Sequence, residues 1–278
     1  MKLPAGSAEL TIAFDMMSRG PYPPAGFLPV WDAELGNGDY FGLYWPLGRE
    51  QQEPIVCEMY HDEGRLIPAF SDAAIFRTWL KLNDGDRGDT PIDDPAFAPS
   101  SFAAAKVCIA HGQVEQAISY LEQTCASVSE VSEYWLALAT QRRRIGDQDG
   151  SVDAALSAFR SGWHFGKPSN AVLQILRHAQ GAERCVAEPL VKRSDEFTMK
   201  YGGEKVNRNY DLLKECIDEY FSIGSALHAL QLYQNYAFMM NAETTAFQER
   251  YRFDLVTWQI EFSNLCLHHL QDGRTTLK

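Results

Sequence analysis

The residues able to do chemistry are scattered through these 278 positions. His61-Asp62-Glu63 could bind a cation, but three such residues before Gly64 read first as an acidic turn. His268 and His269 are adjacent, so on a helix they point about 100° apart and do not easily share an ion. The six cysteines, at 57, 108, 125, 185, 216 and 266, form no C-x-x-C pair. They fall where small hydrophobes pack, which predicts reduced thiols rather than nucleophiles or a disulfide frame. Gly36-x-Gly38 stops after two glycines, and Asp39 beside it repels phosphate. No G-x-S-x-G elbow and no H-E-x-x-H helix occurs. Asp93-Asp94 sit among turn formers that hold no catalytic geometry. Arg142-Arg143-Arg144 is the one basic run, with Asp147 and Asp149 nearby to neutralise it, and reads as a solvated helix face. His111, just before Gly112, reads as a cation at a helix C-terminus. The expectation is a protein that is not an enzyme, with no catalytic residue, no metal and no cofactor.

Charge narrows the partners. The net charge is −12, and the first 100 residues hold 16 Asp+Glu against 7 Lys+Arg. Phosphate contacts need clustered Lys and Arg, so nucleic acid is excluded as a partner of this part. An acidic unit either draws in a basic partner or serves solubility alone. No apolar run approaches the roughly 18–20 residues that span a bilayer, so no membrane is expected. Met1-Lys2-Leu3-Pro4-Ala5-Gly6 opens no signal peptide, and with reduced thiols this predicts a cytoplasmic protein.

Residues 1–90 predict a small α+β domain. Pro21, Pro23, Pro24 and Pro29 forbid a long helix near the start. Asn37-Gly38 supplies the positive φ of a hairpin turn, so Gly38 is expected there. Aromatic and β-branched residues mark strands over 40–45 and 54–60, with a shorter one at 65–69. A helix follows from Ala73, with Ser71 as its cap. Turn formers and acids crowd 91–100, which reads as a linker. From 101 to 278 the chain is helical in texture, with prolines at 168 and 189 alone. Gly112 and Gly146 stand 34 residues apart, the tetratricopeptide spacing. Trp135, Leu138 and Ala139 before Gly146, and Ala155, Phe159 and Gly162 after it, fill that repeat's large and small positions. Gly224, Ala229, Tyr233 and Tyr236 form a looser third unit. Trp135 and Phe159 are expected in the interface between paired helices. A helical bundle without a true repeat is the alternative.

The stretch 27–80 resembles the SUKH superfamily, a fold shared by a fungal cell-wall-synthesis regulator and many bacterial immunity proteins. The resemblance is carried by Leu35-Gly36-Asn37-Gly38-Asp39-Tyr40-Phe41, the Ile55-Val56 strand, the His61-Asp62-Glu63 turn and the closing Phe70-Ser71…Phe76-Arg77-Thr78-Trp79-Leu80. It departs from the family before Gly36, where only 10–17 could supply the usual N-terminal helices. The resemblance implies an antiparallel sheet and an immunity protein that binds and neutralises a secreted toxin, a nuclease or deaminase with a basic surface. The candidate partner-binding residues are Asp39, Tyr40, Tyr44, Trp45, Glu58, Tyr60, Asp62 and Glu63. Aromatics of 40–45 that face outward would be binding hot spots. A tetratricopeptide-type adaptor is the alternative function.

Overall fold

The computed structural model describes residues 26–34, 38–60, 62, 64–83, 90–182, 185, 187–202 and 206–270. The helix considered at 10–17, together with Asn37, His61 and Glu63, lies outside them. Four antiparallel strands form a meander in the order β1 (Phe27–Glu34), β2 (Tyr40–Tyr44), β3 (Ile55–Tyr60), β4 (Arg65–Phe70). The hairpin glycine Gly38 has φ 93°, as its turn requires. No strand is expected from the sequence at β1, where Pro29 rules out only a long helix. β1 is an edge strand, where a missing N–H breaks no ladder, and Pro68 sits likewise in the other edge strand. After the sheet, α1 (Ala73–Leu82) starts at Asp72 rather than Ser71. The Asp72 carboxylate accepts from the N–H of Ala74 and of Ile75.

Both faces of the sheet are covered. Leu28, Phe41, Leu43, Trp45, Val56 and Phe70 pack against Phe76, Trp79 and Leu80 of α1. Phe27, Tyr40, Tyr44, Ile55, Cys57, Met59 and Leu66 belong instead to the core of the helical part. A register shift between Val56 and Cys57 turns Phe70 to the α1 side while Leu66 faces the helices. Two-sided burial explains why every residue of β2 is buried, without apolar–polar alternation.

Residues 90–97 carry neither helix nor strand, although Ile92 packs on the α1-side core and the Asp94 carboxylate accepts from the Ser71 N–H at 2.8 Å. The helices begin at Ala98, inside the stretch read as linker. They are α2 (Ala98–Ala110), α3 (Val114–Ser127), α4 (Ser132–Arg144), α5 (Gln148–Arg160), α6 (Asn170–His178), α7 (Pro189–Lys192), α8 (Arg208–Ser222), α9 (Ala226–Asn241), α10 (Thr245–Tyr251) and α11 (Leu255–His269), with a 3₁₀ turn at Trp163–Phe165.

Three pairs, α2/α3, α4/α5 and α8/α9, are antiparallel hairpins turned by Gly112, Gly146 and Gly224. Each turn closes with the same two hydrogen bonds. The glycine N–H donates three residues back, and the next N–H donates five back: Gln113 to Cys108, Asp147 to Arg142, Ser225 to Tyr220. That pattern needs a left-handed residue, which is why glycine recurs there. Phe159 is fully buried, as expected. Trp135 is half-buried, its indole N–H donating to the Ser129 carbonyl at 2.7 Å, while Tyr134 takes the inner position against Phe102.

The sheet seats on the helices through Tyr44, whose ring meets His164 and Phe165 at 5.6 and 5.2 Å. Asn235 of α9 ties the seam, accepting from the Trp163 N–H and donating to the Ser161 carbonyl.

Candidate functional site

The aromatic residues expected at a partner surface do not reach one. Tyr44 and Trp45 have no exposed surface, and Tyr40 is buried against Phe27. The expectation fails because it assumed one solvated sheet face, whereas α1 and the helical part cover both. Asp39 and Glu58 are buried as well, and Tyr60 is half-buried with its hydroxyl donating to Glu58 at 3.3 Å. Of the eight proposed contact residues, Asp62 stands exposed, and Glu63 lies outside the described residues. Asp39, Glu50 and Glu58 are buried, so these three carboxylates do not contribute to an acidic surface of this unit.

Several titratable groups lie inside the molecule, in packed surroundings. All six cysteines are buried. Burial pushes the Cys125 and Cys216 thiols up to about 12. Burial, helped by the charge of Glu130, raises Cys57 well above the usual thiol range. These three are protonated at neutral pH and are not nucleophiles. His164 is enclosed by Tyr44, Phe165 and Phe238. A Cβ placed on Gly162 would lie 2.6 Å from the His164 ring and 2.7 Å from the Glu130 carboxylate, so both close over that glycine. Among the described residues no cluster of three His, Cys, Asp or Glu could hold a metal ion.

One constellation was invisible in the sequence because its members are far apart in the chain. Arg160 at the end of α5 donates to His228 Nδ1 at 3.2 Å, and Ser225 Oγ lies 2.9 Å from the same nitrogen. The Tyr220 hydroxyl donates to Glu188, and its ring packs on His228 at 5.5 Å. A serine beside a histidine suggests a nucleophile and its base. Here the guanidinium occupies the lone pair that would take the serine proton. Burial, with the Arg160 charge, lowers His228 to about 4, leaving a weak base. The cluster braces the α5, α7, α8 and α9 junction instead.

That assignment has a pH consequence. The unfolded chain binds a proton at His228 between roughly pH 6.5 and 4, and the folded chain does not, so stability falls as pH drops through that window. After solvent screening the loss is on the order of 1–2 kcal/mol. His228→Gln is expected to flatten this part of the acid limb, measured as urea midpoints at pH 7 and pH 5. An unchanged slope contradicts the bracing role.

The helices present exposed faces as well. On α2, Ala103, Lys106, Val107 and Ala110 form one exposed stripe at helical spacing. On α4 the corresponding stripe is Glu133, Leu136, Ala137 and Thr140, with Leu136 and Ala137 half-buried. Lys106 Nζ meets the Glu133 carboxylate at 3.4 Å, and the Phe102 ring lies 4.6 Å from that of Tyr134, so the two stripes lie side by side. Lys106 also sits 4.2 Å over the Phe102 ring. The result is a shallow two-helix face, apolar at Val107 and Leu136, with an ion pair across it. Of the arginine run, Arg142 turns away to Glu122 and Asp147, and Arg143 and Arg144 are exposed at the end of the α4 stripe. No helix among the described residues is long and apolar enough to cross a membrane.

Comparison with known proteins matches residues 12–89 to the YfbP N-terminal domain and residues 200–278 to the YfbP C-terminal domain. The chain is 42% identical over 279 residues to the uncharacterized protein YfbP of Escherichia coli (strain K12), covering 99% of each. The α2/α4 face lies between the two matched blocks.

Proposed function

The chain belongs to the YfbP family, and we propose that it is a non-enzymatic, tetratricopeptide-like adaptor that binds another polypeptide on the α2/α4 face. One observation carries this reading. Paired helices turned by glycines 34 residues apart present a continuous exposed face with apolar centres, while the cysteines are buried and His228 is held by Arg160. Stacked hairpins of this kind make extended surfaces suited to a partner segment. Val107 is 57% exposed and Lys106 and Glu133 are 59% and 66% exposed, so a partner can reach all three. The order of hairpin, closing strand and phenylalanine-bearing helix supports a SUKH-like reading of the sheet unit, and with it a toxin as the polypeptide bound.

The test is co-expression with the products of adjacent genes, followed by titration of any that bind. Val107→Glu puts a charge in the face without touching the core, and is expected to weaken binding at least tenfold with an unchanged circular dichroism spectrum. Thr78→Glu, exposed on α1, should bind as the wild type does. Equal binding by Val107→Glu removes the face from the proposal. Relief of toxicity by the wild type alone would identify the partner as a toxin.

A further inference from the structure

We infer that the outer face of α11 is a contact between two copies of this chain, packed antiparallel about a two-fold axis. α11 turns Trp258, Phe262 and Cys266 inward at four-residue spacing, and the first two pack on Tyr233 of α9. The other side exposes Val256, Ile260 and Leu267 at 63%, 61% and 52%. Glu261 is the one formally charged residue in the fifteen of this helix. A helix face open to water is ordinarily polar, so an exposed apolar stripe of this kind marks a contact.

The pattern along the stripe selects its occupant. Its centre is Ser263-Asn264, flanked by Ile260 before and Leu267 after. Reversing one copy about that centre sets Ile260 over Leu267 of the second copy and brings Glu261 within reach of His268 of the second copy. Both pairings recur by symmetry, as a two-fold contact requires. Ser263 is small enough to let the helices approach to the usual 8–10 Å. The Glu261 carboxylate is already oriented, accepting from the Tyr233 hydroxyl at 2.8 Å. A shallow groove of about 530 Å³, bounded by Ile260, Asn264 and His268, takes the opposing side chains. One helix crossing covers less than the roughly 800 Å² per partner of a standard interface, so the dimer is expected to be weak and concentration-dependent.

Because all six native cysteines are buried, one added surface cysteine is a clean reporter. Asn264→Cys, at the axis, is expected to form a disulfide-linked dimer of the full chain under mild oxidation. Val256→Cys lies about 12 Å along the helix from the axis, so its two copies stand about 24 Å apart and should not link. Sedimentation equilibrium should show a monomer–dimer transition that Ile260→Glu abolishes with its circular dichroism intact. A monomer at every concentration, linking as fast at Val256→Cys, or growth to open-ended oligomers each overturns the inference. Partner binding by Ile260→Glu is independent of it and reports on the α2/α4 face alone.

Discussion

Gly42→Val is expected to destabilise the protein by about 3 kcal/mol or more. Gly42 sits in β2 between Pro29 and Cys57 on its neighbours, on the face turned to the helices. A Cβ there would collide with the Phe27 ring, 2.7 Å from its Cε2, and would stand 2.5 Å from the Leu28 carbonyl oxygen. The ring can shift only by leaving a fully buried site, and the carbonyl belongs to the paired strand. Chemical denaturation measures the loss. Combining Gly42→Ala with Phe27→Leu frees the ring's space, so the double variant should be more stable than the two single effects summed. A Gly42→Val protein that unfolds with the wild type would show that the β1/β2 register is wrong.

Phe159→Ala is expected to cost about 3–5 kcal/mol. Its ring is fully buried on α5, edge-on to Trp163 at 5.6 Å and to Phe197 at 5.1 Å, so the cavity left behind has rigid walls. Trp135→Ala should cost less, about 1–2 kcal/mol, since that ring is half-buried and gives up chiefly the hydrogen bond to Ser129. Equal losses would mean that both rings are core, and a Phe159→Ala loss below Trp135→Ala would reverse the assignment of inner and outer positions.

How far the sequence could be read follows from what each feature depends on. The hairpin glycines were legible because a left-handed turn admits few other residues, so Gly112 and Gly146 mark their positions without help from the fold. The strands at 40–44 and 55–60 were legible from composition, but their solvent exposure was not. Whether Tyr44 faces water depends on what covers the sheet, and that is settled by His164 and Phe165, far along the chain. β1 was not legible, because Pro29 rules out a long helix and its effect on a strand depends on edge or centre position in a sheet not yet assembled. Trp135 and Tyr134 are neighbours, and although Leu138 and Ala139 are buried where the repeat places them, Tyr134 rather than Trp135 takes the inner position on α4. The Arg160–His228–Ser225 and Tyr220–Glu188 contacts were out of reach for the same reason as the covered sheet: no local pattern joins α5 to α9. The α2 and α4 stripes have helical spacing in the sequence, yet it takes the Lys106–Glu133 pair and the Phe102–Tyr134 contact to place them side by side.

The most direct measurement is photo-crosslinking in cells, with a photoreactive amino acid at Val107 in one strain and at Thr78 in another. Both positions are exposed, and only Val107 lies on the α2/α4 face. A polypeptide-binding adaptor should yield a discrete crosslinked species from Val107 that is absent from Thr78 and is lost when Leu136→Glu is added. Crosslinks of equal pattern from both positions, or none from Val107 in cells where the wild-type protein is functional, would contradict binding at this face.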